Sequence, residues 1–139
     1  MAPMTYLVAY LTVLLVFGVL DAVWLTLMGN RLYRSTLGDI MLPDLRYAPA
    51  LVFYFMYPIG IVIFAVAPAL KAGSVQPALM YGLLFGLFAY ATYDLTNYAT
   101  LRNWTLQITL ADLVYGSIAT AASGSAAFFA ARAAAAWAA

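Results

Sequence analysis

Four apolar stretches, each long enough to cross a bilayer, decide what this chain can fold into. A helix rises about 1.5 Å per residue and the hydrocarbon layer is about 30 Å thick, so a span takes about 20 mostly apolar residues. The stretches run from about Thr5 to Met28, Ala48 to Leu70, Val75 to Leu101 and Leu106 to Ala131, the last reaching towards Trp137. They are far too long for barrel strands and lack the alternation that strands would show. The first is not followed by a clean small-x-small cleavage site and has no Lys or Arg before it, so it reads as a retained helix. The expected fold is all-α: one transmembrane domain over residues 1–139, an antiparallel up-down four-helix bundle.

Composition agrees. Charged residues make up 8% of the chain and apolar residues 67%, whereas a soluble domain carries about 25% charge. The net charge of +1 gives no reason to expect nucleic acid as a partner. With no Cys and no His, thiolate zinc sites, iron–sulfur clusters, His-ligated haem, disulfides and His-dependent catalytic dyads are excluded. The only lysine, Lys71, sits in a short link beside Gly73, which argues against a retinal Schiff base inside the bundle. No cofactor and no metal is implied, and the chemistry left is that of five Asp, five Arg, hydroxyls and amides.

Two links are tight, Lys71–Ser74 and Arg102–Thr105, and short links make neighbours antiparallel. The first connection, Gly29 to Tyr47, is longer. It mixes Arg31, Arg34, Asp39, Asp44 and Arg46 with Leu32, Tyr33, Leu37, Ile40, Met41 and Leu42. That mixture suits a short helix lying in the membrane interface and ended by Pro43; a plain polar loop is the alternative. Arg31, Arg34, Arg46 and Arg102 fall on one side, Lys71 and Arg132 on the other, so the termini are expected outside the cytoplasm. Pro58 interrupts the second span and frees the carbonyl of Tyr54, predicting a kink. Gly82 and Gly86 in the third span, and Gly116, Thr120, Ser123 and Gly124 in the fourth, allow close helix approach. Packing within one bundle is the first use for them; a homodimer seam through Gly82, Gly86 or Gly116 is the second. Trp104, Trp137, Tyr6 and Tyr10 lie near span ends, as interfacial anchors do.

Three carboxyl groups fall within the spans: Asp21, Asp94 and Asp112. An acidic side chain at depth costs several kcal/mol and so faces the bundle interior or a cavity. Asp21 and Asp94 each lie seven residues before the end of their span, about 10 Å in, and Asp112 lies six residues after the start of its own, about 9 Å in. With alternating crossings these depths are measured from one face, so the three acids are expected in one layer. Trp24 stands three residues after Asp21, Asn97 and Tyr98 three and four after Asp94, and Tyr115 three after Asp112. Arg102 is expected to reach back towards Asp94. Three close carboxylates cannot all be ionised in a low dielectric, so arginines or a metal neutralise them, or one keeps its proton. The candidate binding set is therefore Asp21, Trp24, Asp94, Asn97, Tyr98, Arg102, Asp112 and Tyr115.

The run Tyr93-Asp94-Leu95-Thr96-Asn97-Tyr98-Ala99-Thr100-Leu101-Arg102-Asn103-Trp104 resembles the signature of a bacterial family of predicted membrane proteins, domain of unknown function 2177. Asp21-x-x-Trp24-Leu25 and Asp112-x-x-x-Gly116 are similar to its other recurrent positions. The resemblance implies a four-helix protein of the bacterial inner membrane and no particular reaction. On the residues themselves, binding or carrying a lipid or other small amphiphile ranks first, with Phe53, Phe55, Phe85 and Tyr90 as apolar lining. A proton-coupled small-molecule transporter acting as a dimer and a structural or assembly subunit are the alternatives. A metal-dependent lipid-modifying enzyme ranks below these, since the usual tandem Asp motifs are missing.

Overall fold

A computed structural model describes residues 2–139. It contains four helices long and apolar enough to cross a membrane: α1 (Pro3–Leu37), α2 (Tyr47–Ala72), α3 (Gln76–Thr100) and α4 (Leu106–Ala138). Even α3, with 25 residues, is about 38 Å long and exceeds the hydrocarbon thickness. There are no strands among the described residues. The helices form an all-α membrane-spanning bundle.

Burial follows a four-residue step. On α1 the buried positions up to Met28 are Thr5, Ala9, Val13, Phe17 and Asp21. On α3 they are Ala78, Gly82, Gly86 and Asp94, with half-buried Tyr90 filling the missing step. On α4 the series Ile108, Asp112, Gly116, Thr120, Gly124 and Phe128 is buried throughout. Residues four apart share a helix face, so each acid lies on the same inward stripe as its helix's small residues. The outward faces carry the large apolar side chains, among them Leu15, Met56, Phe88 and Val114. In lipid those side chains lose nothing by exposure, and association rests on close packing instead.

That packing centres on α4, which contacts both α1 and α3 along its length, with α2 closing the remaining side. A Cβ built on Gly86 would stand 2.5 Å from the Gly116 carbonyl oxygen and 2.9 Å from Ser117 Cα, and one on Gly82 would stand 2.9 Å from Ala121 Cα. One on Gly116 would strike the Tyr90 ring. The three glycines are thus engaged within one chain, between α3 and α4. Ser117, Ser123 and Ser125 donate to carbonyls four residues back on α4, each at 2.7 Å, which leaves no hydroxyl hydrogen facing hydrocarbon.

Helix ends and irregularities have local causes. Thr105 caps α4, its hydroxyl accepting from the Ile108 N–H at 3.2 Å. Gly73, at φ +68°, ends α2 in a left-handed cap: Ser74 N–H reaches the Ala69 carbonyl at 3.2 Å and Gly73 N–H the Leu70 carbonyl at 3.3 Å. Pro58 sits within α2, a π-helical stretch at Val62–Val66 follows, and Pro68 comes directly after it. The Tyr10 hydroxyl, read as a boundary anchor, donates to the Phe55 carbonyl at 2.9 Å, next to the one that Pro58 frees. The first connection also differs from expectation. Its helical residues are not a separate element but continue α1, through a π-helical turn at Gly29–Arg34 to Leu37. Gly29 keeps right-handed helical dihedrals (φ −53°, ψ −50°) and does not break the chain. Helix ends at Leu37, well before Pro43.

Gly86→Ala should destabilise the protein by about 1–3 kcal/mol, the usual cost of overpacking a close contact, although Ala is the better helix former. Gly18→Ala, with nothing within 4 Å of the new Cβ, should be neutral or stabilising by up to about 1 kcal/mol. Unfolding of the two variants in mixed micelles reads the difference, and equal effects would mean that the α3–α4 approach does not hold the bundle. The buried Tyr57 hydroxyl lies 2.8 Å from Thr120 Oγ1. Tyr57→Phe should cost about 0.6 kcal/mol, the average for interhelical hydrogen bonds in a membrane, in the same assay.

Candidate functional site

A cavity of about 300 Å³ lies at one end of the bundle, among α1, α3 and α4. Asp21 and Trp24 line it from α1, Tyr90 and Tyr93 from α3, and Asp112 and Tyr115 from α4. The continuation of α1 folds over it, contributing Tyr33, Leu37 and then Met41. Trp104, from the link between α3 and α4, completes the wall. What holds this cover in place is a small apolar cluster of Leu32, Leu37, Trp104 and Ile108, with Trp24, Met28 and Tyr33 packed against it. Trp104, read as an interfacial anchor, is therefore buried, with its indole N–H on Thr109 Oγ1 at 3.1 Å.

The two acids of this cavity are each engaged by tyrosine. Asp21, 8% exposed, accepts from the Tyr115 hydroxyl at 2.9 Å through Oδ1 and from the Tyr54 hydroxyl through Oδ2. Asp112, 5% exposed, accepts from the Tyr33 hydroxyl through Oδ1. Tyr33 in turn accepts from the Trp24 indole N–H at 2.8 Å, so a continuous chain of hydrogen bonds joins α1, its continuation and α4. Trp24 also stacks on Tyr115, ring centroids 4.5 Å apart and 13° from parallel. The cavity's walls are thus fixed by polar bonds and ring contacts together.

Of the eight candidate residues, four line this cavity: Asp21, Trp24, Asp112 and Tyr115. Asp94 does not. It is fully buried on the α3 stripe, and neither carboxyl oxygen has a hydrogen-bond partner among the described residues. Of the expected layer of three acids, two line the cavity and the third is buried outside its lining. Asn97 is half-buried on α3 and donates nothing to Asp94. Tyr98 is 44% exposed, pointing away from the interior. Arg102 is exposed in the turn after α3, where the helix has ended at Thr100, and does not reach Asp94. Among the described residues no three acids gather closely enough to hold a metal ion.

Tyr33, Tyr54, Tyr93 and Trp104 are site residues that the sequence alone does not single out. Tyr93 and Trp104 bracket the Asp94 motif, and Tyr90 lies one helical turn before Asp94; that proximity is the signal that could have found them. Nothing local marks Tyr33 or Tyr54 as the partner of an acid on another element.

Two apolar grooves adjoin the cavity. One, about 610 Å³, runs between α1 and α4 past Leu20, Ala111, Val114 and Ala122, and shares Trp24 and Tyr115 with the cavity wall. The other, about 430 Å³, lies between α2 and α3 at Phe53, Tyr57 and Ala89, and shares Tyr90 and Tyr93. Of the expected apolar lining, Phe53 and Tyr90 are here, whereas Phe55 faces outward and Phe85 stacks on Tyr57.

No curated protein and no solved structure matches the chain. The family described as "Predicted membrane protein (DUF2177)" matches residues 6–129, a stretch that contains all four helices' membrane-crossing cores, the cavity and both grooves. The chain is a four-span integral membrane protein and belongs to the DUF2177 family.

Proposed function

We propose that the protein binds a membrane amphiphile, with the polar head in the cavity among α1, α3 and α4 and the apolar chains in the two grooves. The observation that carries this reading is adjacency: the cavity that holds Asp21 and Asp112 shares two of its wall residues with each of two grooves that are almost wholly apolar. Apolar grooves alone would be ordinary in a membrane protein, since lipid tails fill any crevice. A cavity walled by two acids and set beside two of them matches the shape of a molecule with a head and tails. At about 300 Å³ the cavity is at the lower limit for a ligand site, about 300–1,000 Å³, which suits a head group and not a whole lipid.

In this reading the helices cross alternately and antiparallel in the bacterial inner membrane, and the segment from Gly29 to Arg46 lies at the interface. The cavity end carries Arg31, Arg34, Arg46 and Arg102, so the excess of arginine favours the cytoplasmic side for it and the outside for both termini. Proton-coupled transport is the second reading. Asp94 favours it, being an acid sealed at depth without a partner, the kind of group on which proton relays are built. An assembly role would have to use faces other than Gly82, Gly86 and Gly116, which are buried between α3 and α4.

The grooves provide the test. Ala122 and Ala89 line one groove each. Ala122→Trp and Ala89→Trp should lower the amount of lipid retained through gentle purification, read by native mass spectrometry, by about tenfold, the loss expected from about 1.4 kcal/mol of chain contact. Ile63→Trp, on an exposed face outside both grooves, should leave retention unchanged. Equal retention by all three variants and the parent would rule the reading out.

A further inference from the structure

Resting on the amphiphile reading, we infer that the head group this cavity takes is a cation: an alkylated or primary ammonium carried on an apolar chain. The wall holds two acids, Asp21 and Asp112, and neither lysine nor arginine. Both are more than nine-tenths buried. Their partners, Tyr54, Tyr115 and Tyr33, are neutral hydroxyl donors. These soften the burial of a carboxylate without supplying the opposite charge that buried acids need. Tyr33 occupies Oδ1 of Asp112, and no described residue donates to its Oδ2, which is left for whatever enters the cavity.

The remainder of the wall is aromatic. Trp24, Trp104, Tyr90, Tyr93 and Tyr115 surround the same space. Tyr93 stands edge-on to Trp104 at 5.5 Å and 89°, and Tyr90 edge-on to Tyr115 at 6.2 Å and 78°. The faces of aromatic rings are what hold quaternary ammonium groups in aromatic cages. An ammonium would meet those faces and the acids at once. A phosphate or sulfate head would add negative charge to a wall that already has two acids and no base. A sugar head would find hydrogen-bond partners but would bring no charge to offset them.

The tryptophans report on this space directly. The chain has three; two line the cavity, and Trp137 is 92% exposed near the far terminus. In the full-length Trp137→Phe protein, held in dodecyl maltoside micelles, the remaining fluorescence comes from Trp24 and Trp104. Doping the micelles with dodecyltrimethylammonium should change that fluorescence saturably, at a mole fraction at least tenfold below any needed for dodecyl phosphate. Asp112→Asn, which keeps the side chain's shape and an oxygen for Tyr33, should raise that mole fraction at least tenfold; since micelle charging is the same for both proteins, this change reports on the site. If Asp112→Asn does not fold, the comparison of head groups on the intact cavity stands by itself. Equal responses to cation and phosphate would overturn the inference while leaving the amphiphile reading intact. No response to either, with lipid still retained in the mass spectrometry experiment, would show a neutral head and overturn the inference alone. No response and no retained lipid would overturn both.

Discussion

The place where Gly86 of α3 meets Gly116 of α4 determines how the rest of the bundle is arranged. With no side chain on either residue, the two backbones approach until a single added methyl would stand 2.5 Å from a carbonyl oxygen. Such an approach gains dispersion contacts, which in lipid are the main attraction available between helices. It also sets the relative height of the two helices. Tyr90, one turn beyond Gly86, then lies across Gly116, and Asp112, one turn before Gly116, comes level with the ring. The polar cavity is therefore a consequence of a glycine contact made deeper in the bundle.

The three acids show what a bilayer demands of a carboxyl group and how differently it can be met. Each costs about 2.5–3.5 kcal/mol at the centre of a span on insertion scales. A hydrogen bond to a charged group returns about 1.5–3 kcal/mol, so one or two tyrosine hydroxyls offset part of that cost. Asp21 has two such donors and Asp112 has one. Asp94 has none, and its oxygens are closed off. Stability alone would favour an apolar residue at that position. This acid sits where the packing gives it nothing, which separates it in kind from the two that form the cavity wall.

How much of this could be read from the sequence depended on the range of the signal. The number of spans was legible because hydrophobic length is a local property; the helical segments begin at Pro3, Tyr47, Gln76 and Leu106, near the expected starts, but the first and last run on to Leu37 and Ala138, beyond the expected Met28 and Ala131. That the acids face inward was legible too, since Asp21, Asp94 and Asp112 each continue a four-residue stripe of buried positions. Their mutual placement was not. Equal depth does not make a contact, and depth counting puts Asp94 with the other two although it is absent from their cavity's lining and no described residue bonds to its oxygens. Arg102 failed as a partner because α3 ends at Thr100 and the chain turns away. Tyr33 and Tyr54 were invisible for a different reason. Their bonds to Asp112 and Asp21 span 79 and 33 residues; the first depends on where the continuation of α1 lies against α4 and the second on how α2 packs against α1, neither of which any periodicity announces.

That cover is what turns a polar gap between helices into a cavity. Without Tyr33, Leu37 and Met41 above it, the space beside Asp112 would open to interfacial water, and the acids would be solvated at little cost. With them, the acids are more than nine-tenths buried and bonded to tyrosine hydroxyls, and apolar grooves adjoin the cavity on two sides. The cover is anchored by Leu32 and Leu37 against Trp104 and Ile108, and by the bonds from Trp24 to Tyr33 and from Tyr33 to Asp112. Asp112 is therefore at once part of the cavity wall and the far anchor of the cover, joined to it through one side chain, Tyr33.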